Sequence, residues 1–103
     1  MTPAVTDNPE RERYELRLGD ELVGLLEYRG RGRDRALTHT EIYEGHEGQG
    51  LAGHLVKNVL EDLREKGLQV IPVCPYVTKY LRDHPEYMDL VEPGLRAGLG
   101  LTA

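Results

Sequence analysis

The sequence has no Phe and no Trp, and its aromatic residues are six Tyr. A core without those rings has to be built from Leu, Val, Ile and the apolar parts of Tyr. The 103-residue chain is therefore expected to hold one modest core of limited intrinsic stability, helped by a ligand or a partner subunit. A single Cys excludes an intramolecular disulfide and suits a reducing compartment. No segment approaches about 18 consecutive apolar residues, and no apolar run preceded by cations opens the chain, so the expectation is a soluble cytoplasmic protein away from membrane. Basic residues are also short: 13 Lys and Arg stand against 18 Asp and Glu, a formal charge of −5. With no dense basic run, nucleic acid is not an expected partner. Arg29, Arg31, Arg33 and Arg35 alternate with Gly30, Gly32 and Asp34. They read as a solvated hairpin turn or as a grip on an anionic group. Neither an H-x-x-x-H nor a cysteine pair occurs, so no metal is expected at His46 or His84.

What the chain does have is glycine in one place. Gly45-His46-Glu47-Gly48-Gln49-Gly50-Leu51-Ala52-Gly53-His54-Leu55 is a glycine-rich turn that runs into the best amphipathic pattern in the sequence. Leu51, Ala52, Leu55, Val56, Val59, Leu60 and Leu63 form one stripe, with His54, Lys57, Asn58, Glu61, Asp62 and Glu65 opposite. The spacing predicts a helix closed by Arg64, Lys66 and Gly67. No Ser, Thr, Asp or Asn stands at its start. Its first amides are left uncovered, an arrangement that accepts an anion such as pyrophosphate. Glycines beside a helix can equally be turn residues alone, and Glu44 and Glu47 oppose a phosphate unless they point away.

The remainder supplies the frame. Met1 to Glu12 carries Pro3 and Pro9 with no periodicity and reads as a flexible lead-in, residues 1–12. Arg13 to Leu18 and Leu22 to Tyr28 read as a hairpin across Gly19-Asp20. Ala36 to Ile42 reads as a third strand with Leu37, His39 and Glu41 on one face and Ala36, Thr38, Thr40 and Ile42 on the other. With the helix and the apolar strand Leu68 to Val73 it forms a β-α-β unit whose two strands are parallel, and ligands of such units lie at the carboxyl ends of the strands, here Ile42 and Cys74. Pro75 to Asp83 reads as a short helix, stopped by Pro85, with Tyr76, Val77, Tyr80 and Leu81 as its apolar stripe. Tyr87 to Val91 reads as a last short strand, and residues 92–103 as a flexible tail. One domain, 13–91, remains.

Gly48-Gln49-Gly50-Leu51-Ala52 after the strand Leu37 to Ile42 resembles the acetyl-coenzyme A binding motif of the GNAT acyltransferases, Q/R-x-x-G-x-G/A, with Glu47 standing where that motif has Gln or Arg. The likeness is nearest to very short GNAT-like proteins, the N-acetyltransferase domain-containing and YjdJ-type proteins. It is carried by Leu37-Thr38-His39-Thr40-Glu41, by the glycine turn with His54-Leu55, and by Cys74-Pro75-Tyr76 with Tyr80, over roughly residues 13 to 91. It implies an α+β GNAT-like fold, a mixed and mostly antiparallel sheet around a β-α-β coenzyme-binding core.

The resemblance further implies acetyl-CoA or another acyl-CoA as cosubstrate, with no metal. The pantetheine arm would run along Ile42 and Tyr43, the pyrophosphate on Gly48, Gln49, Gly50, Leu51, Ala52 and Gly53 with His54 nearby, and the acyl group near Cys74. Acyl transfer to an amine requires a base and an acid. His39 or Glu41 can serve as the base, or both can be ordinary strand residues. Tyr80 can protonate the leaving thiolate or hold the coenzyme, or sit at the rim of the core. Cys74, at a strand end before a helix, can be a nucleophile forming an acyl-enzyme or an inert buried thiol. The expected function is an N-acetyltransferase acting on an amine of a small molecule or peptide. The alternative is a non-catalytic acyl-CoA-binding module that senses or docks. A generic nucleotide binder fits less well, because the turn lacks a Gly-Lys-Ser/Thr ending. Usual GNAT enzymes carry additional N-terminal helices that shape the acceptor site, and the residues before the third strand are too few for them, so the resemblance implies an open or tunnel-like acceptor groove, or one bounded by a second copy in a homodimer.

Overall fold

The computed structural model describes residues 2–99. Five strands lie side by side in chain order: β1 (Ala4–Asn8), β2 (Arg13–Leu18), β3 (Glu21–Arg29), β4 (Asp34–Ile42) and β5 (Gln69–Pro72). The first four form an antiparallel meander, and β5 joins β4 in parallel after the crossover through helix α1 (Leu51–Glu65). Short helices α2 (Pro75–Asp83) and α3 (Pro93–Arg96) follow.

Helix α1 buries Leu51, Leu55, Val56, Val59, Leu60 and Leu63 against Leu16, Val23, Leu26 and Leu37 of the sheet. Each such side chain contributes about 1.5–3 kcal/mol, and truncating one fully buried leucine such as Leu60 to Ala costs about 2–5 kcal/mol. At the far end the amide of Gly67 (φ 71°) donates to Arg64 and that of Leu68 to Leu63, closing the last turn as its glycine required. In α2, Val77 and Leu81 are buried while Tyr76 is 40% exposed and leans toward Gly53 of α1.

Four expectations change. The lead-in is not structureless: Ala4–Asn8 pairs with β2, Val5 packs against the core, and the polar Asp7 accepts the Tyr28 hydroxyl at 2.7 Å and lies 3.3 Å from the Lys66 ammonium. Partners 21 and 59 positions away leave no local signal in the sequence. The expected last strand is a 3-10 turn, Pro85–Leu90, and only Val91 bridges the sheet, beside Val70. Pro85 begins that turn, and the Tyr87 hydroxyl is drawn to Glu61 at 2.6 Å. In the expected tail, Pro93–Arg96 is helical and Ala97–Leu99 a 3-10 turn, with Arg96 Nε on the Val91 carbonyl at 3.1 Å; residues 100–103 lie outside the described residues.

The fourth change concerns the faces of β4. Across from β3, Glu27 pairs with His39 and Tyr28 with Leu37, so Thr38 is an extra, bulged residue. A bulge shifts alternation by one. Leu37 therefore points into the core on the helix side, whereas His39 and Glu41 point to the other face, 52% and 50% exposed. On that face Leu25 lies in register between Glu15 and Glu41, outside the main core.

Candidate functional site

The parallel register of β4 and β5 ends at Leu37 and Pro72. The Leu37 carbonyl then accepts both the Val73 amide (3.1 Å) and the Cys74 amide (2.9 Å), and the chain turns into α2 while β4 continues to Ile42. The Tyr43 amide is taken by Val23 of β3 at 2.8 Å. By alternation the amide of Ile42 faces the side that β5 has left, an open strand edge beside the site.

The glycine turn stands at the end of that edge. Gly48 (φ 78°) and Gly50 (φ 73°) adopt left-handed backbone, and a Cβ on either would meet nothing within 4 Å. Conformation rather than crowding therefore demands glycine there. Gly50 is the N-cap of α1 with no side-chain capping bond, and the first turn holds no acid. The first intrahelical bond recorded there is from the His54 amide to Gly50. The preceding amides, Leu51 to Gly53, keep no acceptor within the helix and carry the positive end of its dipole. His46 lies 3.4 Å from Glu21 and ties the turn to the start of β3.

Two depressions meet at this helix end. One, about 270 Å³, is lined by Ile42, His46, Glu47, the turn from Gly48 and Gly50 to Gly53, and Tyr76. The other, about 360 Å³, lies between α1 and α2 and is lined by His54, Lys57, Tyr76, Lys79, Tyr80, Asp83 and His84; both share Gly50, Gly53 and Tyr76. Tyr80 stacks on His84 with centroids 3.9 Å apart and planes 13° from parallel, and His84 Nδ1 lies 2.9 Å from the Tyr80 carbonyl. Burial, then the charges of Glu86 and neighbouring groups, raise the Tyr80 pKa above that of a free phenol, so the hydroxyl stays protonated at neutral pH.

The structure thus gathers Ile42, Gly48, Gly50, Leu51, Ala52, Gly53, His54 and Tyr80 around one pair of grooves. Gln49 is exposed and does not line them, and Tyr43 is tied to β3 through its amide. His39 and Glu41 are 3.2 Å apart on the opposite face. Cys74 is 5% exposed in the corner between the two; its thiol donates to Thr40 Oγ1 at 3.6 Å. Sequence reasoning did not place Lys57, Tyr76, Lys79 and His84 at the grooves, although Tyr76, Tyr80 and His84 recur at helical spacing. Among the described residues no three His, Cys, Asp or Glu side chains converge as a metal site.

A parallel crossover strand, an uncapped glycine turn and a split beyond Leu37 define an acyltransferase-like coenzyme fold. The family model of the GCN5-related N-acetyl-transferases matches residues 13–90, and the chain belongs to that family. Among individual relatives it is similar to Protein NATD1: 33% identical to that of Mus musculus over 86% of this chain and 84% of that protein, and 33% to that of Homo sapiens over 86% and 82%. A GCN5-like protein from Staphylococcus aureus, solved by NMR, superposes with a TM-score of 0.66 over 86% of this chain and 87% of the other at 21% identity, a likeness of fold.

Proposed function

We propose that the chain binds acetyl-CoA, or a related acyl-CoA, and transfers the acyl group to an amine. The single observation that carries this reading is the junction of an uncapped glycine turn with the open edge of β4 beyond Leu37. The residues present fit the coenzyme: amides from Gly48 to Gly53 for the pyrophosphate, and the free edge at Ile42, next to Tyr43, for the amide-bearing pantetheine arm. The coenzyme supplies an activated thioester.

The chain's own groups do the rest. In this reading the acyl group lies at the divergence of β4 from β5, with Tyr80 on the helix side and the amine approaching from the face that bears His39 and Glu41. Glu41, with His39 against it, takes the proton of the attacking amine, and Tyr80 gives one to the departing sulfur. The Cys74 thiol contacts Thr40 and no acid or base among the described residues, which favours direct attack over an acyl-enzyme. A screen of amines with acetyl-CoA, following thiol release, tests the reading. Activity with an amine, lowered about 10²-fold or more in Glu41→Gln, is expected. Full turnover by that variant would remove Glu41 from the mechanism.

A second reading, a non-catalytic acyl-CoA-binding module, is favoured by the half-exposure of both His39 and Glu41, which puts the two groups in contact with solvent. Coenzyme binding without turnover on any amine would support it.

A further inference from the structure

Helix α1 directs Gly53, His54 and Lys57 toward α2, at spacings of three and four residues that place them on one ridge, with the N-cap Gly50 at its head. Of the cations in the groove, Lys79 is already held by Asp83 at 2.8 Å, one turn along α2. Lys57 is exposed and makes no hydrogen bond or ion pair among the described residues. An unpartnered ammonium inside a groove of a chain whose formal charge is −5 stands out electrostatically. Among the described residues, the adjoining depression is lined by one carboxylate, Glu47, and by no Lys or Arg. Asp83, the carboxylate lining the groove between α1 and α2, is offset by its pair with Lys79, so attraction for an anion across the paired grooves falls to the bare amides of the helix end and to Lys57.

The spacing fits a ligand with two separated anionic groups. Lys57 lies one turn beyond Gly53, about 6 Å along the helix axis, and its flexible stem adds reach. A diphosphate on the amides and a second phosphate at Lys57 would be separated by about one ribose ring. The opposite wall offers flat surface for a base: Tyr76, 40% exposed, and the stacked Tyr80–His84 pair.

We propose that Lys57 pairs with the ribose 3′-phosphate of the coenzyme, so that this chain selects coenzyme A over its dephospho form. The proposal rests on the coenzyme reading above and deepens it. In this chain the cation lies one turn into the helix, and not at position 47 of the turn.

Isothermal titration of the full chain and its Lys57→Met variant with coenzyme A and with dephospho-coenzyme A separates the two ideas. Methionine keeps the stem and a good helix former at an exposed site, and circular dichroism verifies folding. The wild type is expected to bind coenzyme A about tenfold tighter than the dephospho form, the worth of one charge-assisted contact. Lys57→Met should lose that margin while binding dephospho-coenzyme A as the wild type does. Equal wild-type affinities, or a margin that survives in the variant, would overturn the assignment of Lys57 and leave coenzyme binding intact. A wild type that binds neither ligand overturns the coenzyme reading itself.

Discussion

The amide of Cys74 donates to the carbonyl of Leu37 at 2.9 Å, and among the described residues no strand accompanies β4 on that side beyond this bond. The same turn buries the Cys74 thiol, which donates to Thr40 Oγ1. No base contacts it among the described residues, and the proposed direct attack makes no use of it as a nucleophile. Intact-mass spectrometry after incubation with acetyl-CoA should show no acetyl gain on Cys74. A gain that disappears in Cys74→Ala would replace direct attack with a ping-pong route.

Gly53 separates stability from binding. It sits in the first turn of α1, where a Cβ would meet the Tyr76 hydroxyl at 3.7 Å and Tyr80 Cε2 at 3.9 Å, ordinary contact distances. Gly53→Ala should therefore raise stability by about 0.5–1 kcal/mol through helix propensity, a Tm gain of several degrees. Because Gly53 lines both grooves, the added methyl should also weaken coenzyme A binding about tenfold or more. Calorimetry of both quantities checks the split; unchanged affinity would move the ligand away from this helix end.

Glu15 sets a dependence on acid. Burial alone would raise its pKa, but hydrogen bonds from Arg13, Arg17 and Asn8 outweigh that and hold it at about 2, against 4.5 for a free glutamate. A depressed carboxyl stabilises the fold fully above its unfolded pKa and loses that contribution as pH falls through the window from about 4.5 to 2. The contribution at neutral pH is of order 2 kcal/mol. Denaturant titrations from pH 7 to 2 should show Glu15→Gln less stable at neutral pH and flatter in acid. Parallel curves for the two proteins would exclude Glu15 as the source.

Where periodicity governs, the sequence was readable. The stripe of α1, the Gly67 cap and the bounds of α2 follow from spacing, Pro75 and Pro85. The glycine turn was legible because its left-handed positions need glycine. Elements held by distant polar partners were not: β1 depends on Asp7 meeting Tyr28 and Lys66, and no window of sequence contains that. The facing of His39 was readable only to one residue, since the bulge at Thr38 is a property of the β3–β4 register. Lys57 looked like one more solvated position on a helix until α2 was packed across from it.

The coenzyme site is tested most directly by heteronuclear NMR of the labelled chain during titration with acetyl-CoA. The predicted result is a saturating shift of the amides of Gly48, Gly50, Leu51, Ala52 and Gly53 together with Ile42, while β1 and the Arg29–Arg35 hairpin stay in place. An unchanged glycine turn at about 1 mM ligand, weaker than about −4 kcal/mol of binding, would contradict the account.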